Sequence, residues 1–213
     1  MTLTVLLDLD GTLIDSRPGI AASCEAALRA LGHSPDPAFD VTPLIGPPIP
    51  QVIGRLLAGY GDDRVQAGID AYRAHYGEIG LHMATIYPGV TDALALLAAQ
   101  ARCFVVTSKR KDFATRIIGS LFADTITRTY GTEPDGSTDD KAVLIAAVLR
   151  QEGMDPASTA MVGDRHHDIV GARANGLRGI GVLWGYGSRD ELEAAGAAHL
   201  MAAPAELAAI PPA

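Results

Sequence analysis

The chain has few of the residues that mark several common classes of protein. Its 213 residues include only two cysteines, Cys24 and Cys103, which cannot form the disulfide framework of a small secreted protein. We expect both to be reduced and buried as small apolar side chains. Basic residues are also scarce, with 17 against 25 acidic residues and a net charge of -8. Such a surface repels a phosphate backbone on average, so we expect no nucleic acid polymer as a partner.

Long apolar runs are absent as well. No uncharged apolar stretch reaches about 18 residues, which argues against a membrane span. Met1 leads directly into a strand pattern without a basic leader, so we expect no signal peptide. Together these features predict a soluble protein of the cytoplasm that has no membrane partner.

Short apolar runs are present, and they alternate with helical patterns. A continuous apolar run is typical of a strand that is covered on both faces of a sheet. The strand patterns are Val5–Leu7, Cys103–Val106, Thr159–Val162 and Gly179–Leu183, and the helical patterns are Val90–Gln100, Lys111–Leu121, Asp140–Glu152, Asp168–Asn175 and Arg189–Ala195. This alternation predicts the α/β class, with a doubly wound, Rossmann-like parallel sheet.

Residues 15–85 depart from this alternation, because they contain helical patterns alone. The patterns are Arg17–Leu31, Pro50–Leu57 and Asp63–Tyr76, and proline-rich loops separate them. Proline and glycine are the strongest breakers of regular structure, which supports these boundaries. We therefore predict a small α-helical cap domain at residues 15–85, inserted into a core that is made of residues 1–14 and 86–213.

Polar side chains stand where three of the predicted strands end. They are Asp8 and Asp10 after the first strand, Thr107 and Ser108 after the second, and Asp164 and Asp168 after the third, with Lys141 at the start of the preceding helix. Ligands bind outside the carboxyl ends of the strands in an open parallel sheet. If these strands are neighbours, buried carboxylates meet there and need an opposing charge. Oxygen ligands of this kind suit Mg²⁺, and Lys141 can offset part of the charge.

Each of these residues also has a simpler interpretation when it is considered alone. An aspartate after a strand often caps a turn or a helix, and Lys141 can be a solvated helix lysine. Asp168 can be a first-turn carboxylate that the helix dipole favours. The pair of Asp8 and Asp10 followed by Gly11 is harder to explain in this way, because an apolar strand leads directly into it.

With these residues in view, the sequence resembles the haloacid dehalogenase superfamily over nearly its full length. The four motifs of that superfamily occur in order: DLDGTL at 8–13, VVTS at 105–108, Lys141 within TDDKAVL, and GDRHHD at 163–168. The DxDGT pattern alone is moderately specific, whereas all four motifs in this order and spacing are a strong signal. The resemblance implies an α/β core with a cap and metal-dependent phosphoryl transfer.

The resemblance also implies a catalytic role for individual residues. Asp8 is the implied nucleophile, which attacks phosphorus and carries an aspartyl-phosphate. Asp10 is the implied general acid, which protonates the leaving alcohol and then accepts a proton from water. Lys141 would neutralise Asp8 and the phosphoryl group, and Gly11 lets the backbone turn away beside the site.

The remaining implied roles concern phosphate and metal. Thr107 would bond a phosphoryl oxygen through its hydroxyl group, with the backbone N–H of Ser108 nearby. The implied phosphate-binding residues are Thr107, Ser108, Lys141 and Gly11, and the implied Mg²⁺ ligands are Asp8, Asp10 through its carbonyl oxygen, Asp164 and Asp168. The charge of Mg²⁺ would keep Asp8 ionised and shield it from an anionic substrate.

Within the superfamily, individual residues favour some reactions over others. Haloacid dehalogenases lack the second aspartate, so Asp10 favours phosphoryl transfer. Phosphonate-cleaving members use a lysine of the cap, but Lys109, Lys111 and Lys141 all lie outside residues 15–85. A phosphomonoester hydrolase is the favoured interpretation. A sugar phosphomutase of the same fold and a non-catalytic binding protein stay open as alternatives.

Several stretches resemble a bacterial group that is described as 5'-nucleotidase-like and often labelled phosphoglycolate phosphatase. They are LIGPPIPQVIGRL at 44–56, YPGV at 87–90, TSKRKDFA at 107–114, GDRHHDIVGARANG at 163–176 and GVLWGYGSRDELEAAGA at 181–197. Lys141 is followed by AVL, without the K-P-x-P pattern of many phosphoglycolate phosphatases. The implied substrate is a small phosphate ester, either a nucleoside monophosphate or phosphoglycolate.

Substrate choice is expected to depend on the cap, because the fold and the core motifs are shared across substrates. Arg55 is the cap cation nearest the GPP loop at 46–48, and our hypothesis is that it meets a second anionic or polar part of the substrate. The alternative is a surface arginine that covers apolar area with its stem. The sequence leaves a monomer and a homodimer both open.

Overall fold

A computed structural model of the protein describes residues 3–210. The two ends of the predicted core, residues 1–2 and 211–213, lie outside the described residues. The chain divides into two compact units, of which the first lies within Met1–Ile14 and Ile86–Ala213 and the second is Asp15–Thr85. The chain therefore leaves the first unit soon after its first strand and returns to it later.

The strands of the described residues form one large sheet and one small sheet. They are β1 Leu3–Leu7, β2 Ile14–Asp15, β3 Thr85–Ile86, β4 Ala101–Arg110, β5 Arg128–Thr132, β6 Thr159–Gly163, β7 Arg178–Val182 and β8 His199–Met201. The large sheet has six strands in the order β5-β4-β1-β6-β7-β8, and each neighbouring pair in it is parallel. β2 and β3 form the small sheet. The predicted doubly wound parallel sheet is confirmed.

Helices separate consecutive strands of the large sheet along the chain. They are α1 Arg17–Ala30, α2 Ile49–Ala58, α3 Val65–Glu78, α4 Val90–Ala98, α5 Lys111–Leu121, α6 Lys141–Glu152, α7 His166–Ala174 and α8 Arg189–Ala195. Short 3₁₀ turns lie at Thr42–Leu44, Gly80–Met83, Pro156–Ser158 and Pro204–Ala209. Between residues 3 and 210, no helix combines the length and the apolar character that a membrane crossing requires.

β1 is a central strand, and its position explains where the polar residues meet. All five of its residues are buried, as expected for a strand that is covered on both faces. Leu7 pairs with Val105 of β4 and with Val162 of β6. The backbone N–H of Asp8 then donates to the carbonyl oxygen of Val162 at 2.9 Å. The carboxyl ends of three parallel strands therefore lie side by side.

An apolar cluster fixes α6 against the sheet. It contains Leu6, Phe104, Val106, Tyr130, Leu144, Ile145, Val148, Leu149, Met154, Met161, Ala172 and Leu177, all of them buried. Burial of a large apolar side chain contributes about 1.5–3 kcal/mol. Because this packing holds α6 in place, it also fixes the first residue of that helix, Lys141, near the strand ends.

The second unit is built from α1, α2 and α3, in which both α1 and α2 pack against α3. Tyr72 and Tyr76 of α3 are buried, and their rings stack with centroids 5.5 Å apart. The bounds of the three helices lie within two residues of the patterns Arg17–Leu31, Pro50–Leu57 and Asp63–Tyr76. Apolar periodicity is therefore enough to locate these helices.

The strand patterns miss β5 and β8, which are the two edges of the large sheet. β5 has the sequence RTYGT, and β8 is three residues long, so neither has a continuous apolar run. Two predicted boundaries also need correction. β4 extends to Arg110 rather than ending at Val106, with irregular pairing in between, and α7 begins at His166, before the predicted Asp168.

Candidate active site

The loop that follows β1 turns sharply at Gly11. The backbone N–H of Gly11 donates to the carbonyl oxygen of Ile14 at 2.8 Å, and the φ angle of Gly11 is 89°. Residues with a Cβ rarely adopt this conformation. A Cβ at this position would also overlap the carboxylate of Asp164. Glycine therefore allows the loop that carries Asp8 and Asp10 to touch the loop that follows β6.

The loop after β6 and the start of α7 carry the next two carboxylates. Asp164 is fully buried, and its Oδ2 accepts a hydrogen bond from the backbone N–H of Tyr186 at 2.7 Å. Asp168 lies in the first turn of α7, and its Oδ2 accepts from the backbone N–H of Arg165 at 3.2 Å. Backbone donors therefore fix the orientation of both carboxylates.

Asp8, Asp164 and Asp168 converge into one buried acidic cluster. One carboxylate oxygen of each residue lies within 4.8 Å of the oxygens that the other two contribute. Buried ionised carboxylates at this spacing repel one another. The cluster therefore requires positive charge from the protein, from a bound ion or from both.

Lys141 supplies the protein's own share of that charge. Its Nζ lies 2.6 Å from Asp8 Oδ1 and 2.7 Å from Asp168 Oδ1, and its side chain is buried. Asp140 precedes it as the cap of α6, and the Asp140 carboxylate accepts from two backbone N–H groups of the first turn at 2.7 and 3.0 Å. The cap holds the first turn of α6, and with it Lys141, in a defined place.

Burial and neighbouring charges shift the pKa values of Asp8, Asp164 and Lys141. Burial raises the pKa of Asp8 to about 7, while Lys141 opposes the rise and Asp168 adds to it. Burial, together with the charge of Asp8, raises the pKa of Asp164 well above its usual range. Burial alone would lower the pKa of Lys141, but Asp168 and Asp8 raise it above its usual value. One ammonium group therefore leaves the three carboxylates under-neutralised.

The cluster offers the donor atoms that a hard divalent cation requires. Mg²⁺ binds oxygen ligands and keeps part of its water shell. The oxygens of Asp8, Asp164 and Asp168 are of the right kind and lie close enough together, and the excess negative charge favours a cation. These residues therefore fit Mg²⁺, and they are the ones that could hold it.

Asp10 is paired with a different lysine. Its Oδ2 lies 2.8 Å from Lys109 Nζ, with side chains that are 13% and 7% exposed. The Oδ1 atom of Asp10 is buried and has no hydrogen-bond partner among residues 3–210. A buried acceptor without a donor is costly. This oxygen is therefore placed to receive a hydroxyl group or a water molecule that enters the site.

Thr107 and Ser108 lie in the last part of β4, the strand that pairs with β1. Thr107 is buried, and its Oγ1 accepts from the backbone N–H of Lys109 at 3.1 Å. Ser108 is half-buried. Arg55, the predicted specificity residue, is exposed on α2 of the second unit.

Several contacts of this site come from residues that the motifs do not indicate. Tyr186 acts through its backbone N–H on Asp164, and Lys109 pairs with Asp10. Trp184 Nε1 donates to the carbonyl oxygen of Thr12 at 3.0 Å. The glycine spacing in WGYGS at 184–188 is a physical signal for the segment after β7, because repeated glycines often mark close backbone approach.

Several carboxylates and a buried lysine meet at the carboxyl ends of a parallel sheet. This arrangement is typical of α/β proteins that bind ligands at that edge. Comparison with known proteins specifies the class. The chain belongs to the haloacid dehalogenase-like hydrolase family, whose model matches residues 5–182. The resemblance that the four motifs indicated is therefore confirmed.

Three curated relatives share most of the chain. A 5'-nucleotidase of Pseudomonas aeruginosa is 36% identical over 200 residues, covering 93% of this chain and 90% of that protein. A phosphoglycolate phosphatase of Neisseria meningitidis is 32% identical over 190 residues, covering 86% and 81%. The tyrosine-protein kinase PtkA of Mycobacterium tuberculosis is 38% identical over 192 residues, covering 89% of this chain but only 65% of that longer protein.

Solved structures agree with this assignment. A crystal structure of a predicted phosphatase from Clostridium acetobutylicum superposes with a TM-score of 0.88 at 29% identity, covering 98% of this chain and 97% of that chain. The predicted class of enzyme, a phosphatase of the haloacid dehalogenase-like family, is thereby confirmed.

Proposed function

We propose that the protein is a Mg²⁺-dependent phosphomonoester hydrolase that acts on a small phosphorylated metabolite, either a nucleoside monophosphate or phosphoglycolate. The observation that carries the proposal is the buried ion pair of Lys141 with Asp8 within a group of three carboxylates. A structural ion pair needs no further buried carboxylates, whereas a site for a cation and a phosphoryl group does.

In the first step, a carboxylate oxygen of Asp8 attacks the phosphorus atom of the ester. A bond forms between phosphorus and Asp8, the bond between phosphorus and the alcohol oxygen breaks, and an aspartyl-phosphate results. Asp10, protonated at Oδ1, donates its proton to the departing oxygen, so the product leaves as a neutral alcohol. Lys109 holds the other oxygen of Asp10 and so directs the proton-carrying oxygen into the site.

In the second step, a water molecule attacks the phosphorus atom of the aspartyl-phosphate. Asp10 is now ionised and accepts the proton of that water. The bond between phosphorus and Asp8 breaks, which releases inorganic phosphate and restores the Asp8 carboxylate. The buried Oδ1 of Asp10 suits both steps, because no other hydrogen bond among the described residues occupies it.

The other groups stabilise charge and hold the phosphoryl group. Lys141 contacts Asp8 and is placed to neutralise phosphoryl oxygens, which is the main contribution a protein makes to phosphoryl transfer. The Thr107 hydroxyl, the Ser108 backbone N–H and the backbone at Gly11 are the proposed phosphate-binding groups. Asp8, Asp164, Asp168 and the carbonyl oxygen of Asp10 are the proposed Mg²⁺ ligands, and bound Mg²⁺ would supply positive charge that offsets the anionic substrate.

The second unit is the proposed cap, and Arg55 the proposed contact to the rest of the substrate. The likeness to a 5'-nucleotidase supports a nucleoside monophosphate, and the likeness to a phosphoglycolate phosphatase keeps that substrate in the proposal. Arg55→Ala should raise the KM of the better substrate and leave p-nitrophenyl phosphate unaffected. The cytoplasmic location and the monomeric or homodimeric state stay predictions.

The test is phosphate release from nucleoside monophosphates, phosphoglycolate, sugar phosphates and p-nitrophenyl phosphate, with Mg²⁺ or with EDTA. We expect hydrolysis that requires Mg²⁺ and is lost in Asp8→Asn. Asp92→Asn, an exposed aspartate on α4, is the matched control and should retain activity. Absence of hydrolysis for every ester in the metal-loaded protein would end the proposal.

Product analysis after incubation with a phosphosugar, or with ATP and a tyrosine peptide, separates the alternatives. A sugar phosphomutase would isomerise a phosphosugar with little free phosphate, and a binding protein would retain the ester intact. The likeness to PtkA adds a third outcome, the transfer of phosphate from ATP to a tyrosine peptide. Each of these results would replace hydrolysis as the function.

A further inference from the structure

The segment from Trp184 to Glu191 follows β7 and enters α8. It contacts two loops that carry carboxylates, the loop after β1 with Asp8 and Asp10 and the loop after β6 with Asp164, and we call these the acidic loops. At one end, Trp184 Nε1 donates to the carbonyl oxygen of Thr12, in the loop that carries Asp8 and Asp10. In the middle, the backbone N–H of Tyr186 donates to Asp164 Oδ2 at 2.7 Å. We name residues 184–191 the clamp segment.

The approach of the clamp segment to the acidic loops is close enough to require glycine. A Cβ at Gly187 would overlap the carbonyl oxygen of Asp164, and a Cβ at Gly185 would overlap the carbonyl oxygen of Gly11. The clamp segment therefore touches the backbone of both loops directly. A shift of this segment must move Asp164 relative to the loop after β1.

Glu191, at the other end of the clamp segment, forms hydrogen bonds with the residues that follow Asp164. Its Oε1 accepts hydrogen bonds from Arg165 Nε at 2.9 Å, from the backbone N–H of His166 at 2.9 Å and from His166 Nδ1 at 2.7 Å. Arg165 and His166 lie between Asp164 and Asp168 in the chain. One carboxylate thus holds the short stretch that sets the spacing of two members of the acidic cluster.

A carboxylate with three donors and 24% side-chain exposure differs from an ordinary surface glutamate. Glu193, on the same helix, provides the comparison. Its side chain is 56% exposed, and among residues 3–210 it pairs with Arg189 across the helix surface at 3.2 Å. Exposed pairs of this kind contribute little to stability. The two glutamates therefore differ in their contact with the acidic loop but not in helix or chemical type.

We propose that Glu191 is a positioning residue for divalent-cation binding, which acts by fixing the Arg165–His166 stretch and so the separation of Asp164 from Asp168. The inference rests on the proposed function, because it presumes that the acidic cluster holds Mg²⁺. Glu191 is not a member of the acidic cluster, so its proposed effect on the cation is indirect. Groups that orient metal ligands typically contribute a factor of about 10–100 in metal affinity.

The experiment titrates Mg²⁺ alone into metal-free wild type, Glu191→Ala, Glu191→Gln and Glu193→Gln. Trp184 is the single tryptophan of the chain and lies in the clamp segment, so its fluorescence reports on this segment without catalysis. The rise of the Tm with Mg²⁺ provides a second measure of binding. Turnover of p-nitrophenyl phosphate at saturating Mg²⁺ is recorded for each variant.

We expect the half-saturating Mg²⁺ concentration to rise about 10-fold in Glu191→Ala, less in Glu191→Gln, and less than about 2-fold in Glu193→Gln. At saturating Mg²⁺, kcat and KM should return close to the wild-type values. If Glu191→Ala does not fold, the isosteric Glu191→Gln decides, because it retains the shape and one acceptor oxygen.

Three results would overturn the inference, and they are distinguishable. If wild type binds Mg²⁺ and both Glu191 variants bind it equally tightly, Glu191 has a structural role alone while the proposed function stands. If wild type itself binds no Mg²⁺ in either measurement, the inference and the Mg²⁺-dependent function fall together. A loss of kcat at unchanged Mg²⁺ affinity also contradicts positioning of the cation.

Discussion

The environment of Asp8 disfavours the ionised form of its carboxylate in the metal-free protein. The residue is buried, and two further carboxylates lie within reach of it. Burial raises the pKa of Asp8 to about 7, although Lys141 is only 2.6 Å away. A site that is strained by charge in this way is typical of residues that bind an ion or a reacting group.

The raised pKa of Asp8 has a consequence for stability. Because the folded state binds the proton of Asp8 more tightly than the unfolded state, ionisation opposes folding as the pH rises from about 4 towards 7, and the penalty is complete above that. Asp8→Asn removes the penalty. We expect the variant, in EDTA, to have a higher Tm than wild type at pH 8 and an advantage that shrinks towards pH 4.5.

Asp112 provides a control of opposite sign for this prediction. Arg110 lowers the pKa of Asp112, so its ion pair stabilises the protein above pH 4 and the effect is lost as the pH falls further. Asp112→Asn should therefore lower the Tm slightly at pH 8, since the pair is partly exposed. Equal Tm values for Asp8→Asn and wild type at pH 8 would contradict the charge strain in the cluster.

The pairing of Lys109 with Asp10 leads to a second prediction. Removing one partner of a buried ion pair leaves an uncompensated charge and costs about 3–5 kcal/mol. We expect Lys109→Met to lower the Tm, and the double variant Lys109→Met/Asp10→Asn to recover part of the loss. Thermal unfolding of Lys109→Met, Asp10→Asn and the double variant measures the coupling energy between Lys109 and Asp10.

Lys111 is the matched control for this cycle. Its pair with Glu133 is 2.9 Å long, but the two side chains are 48% and 41% exposed. Lys111→Met should therefore change stability by less than about 1 kcal/mol. A loss for Lys109→Met no larger than this control would show that the Asp10 pair is not energetically important.

At the scale of single residues, the sequence predicts those site residues whose role depends on the type of side chain. Asp8, Asp164 and Lys141 follow from motif spacing, and the structure brings them together. Tyr186 could not be predicted, because its contribution is a backbone N–H that almost any residue carries. Glu191 could not be predicted either, since its partners depend on how α8 packs beside the loop after β6.

At the scale of elements, strand prediction succeeds where burial is complete. β1 and β6 lie inside the sheet and read as apolar runs, because both faces are covered. The edge strands β5 and β8 have fewer neighbours, so their sequences are less constrained. Helices are located well because their apolar period extends over several turns.

Helix α6 gives a prediction at this scale, because its cap, Asp140, and the proposed catalytic lysine, Lys141, are adjacent. Asp140→Ala removes the acceptor for two first-turn N–H groups, which typically costs about 1 kcal/mol. For a chain of this size that corresponds to a Tm lower by roughly 2–4 °C. Fraying of the first turn should also displace Lys141, so we expect a lower kcat at unchanged fold.

The control is Asp155→Ala, which removes a similar cap from the 3₁₀ turn at Pro156–Ser158. That variant should lose a comparable amount of stability and keep full activity. Circular dichroism melts and steady-state kinetics compare the two. If both variants lose stability and neither loses activity, the cap of α6 does not position Lys141.

At the scale of the whole molecule, the proposed binding of Mg²⁺ to the acidic cluster predicts that stability depends on the cation. A ligand that binds the folded state alone stabilises it by about 2.7 kcal/mol at a concentration 100 times its Kd. We expect Mg²⁺ to raise the Tm of wild type in a concentration-dependent way, and EDTA to reverse the rise. Thermal unfolding across a Mg²⁺ series measures the effect.

Asp164→Asn should be more stable than wild type without metal and less stable than wild type with Mg²⁺. Burial and the charge of Asp8 raise the pKa of Asp164 well above its usual range, so its neutral replacement should be more stable than wild type at pH 8 without metal. With Mg²⁺, the variant lacks a proposed ligand and should gain little stability, while wild type should become the more stable protein. A variant that lies below wild type in both conditions would instead indicate that Asp164 is a structural carboxylate, held by Tyr186 for the fold alone.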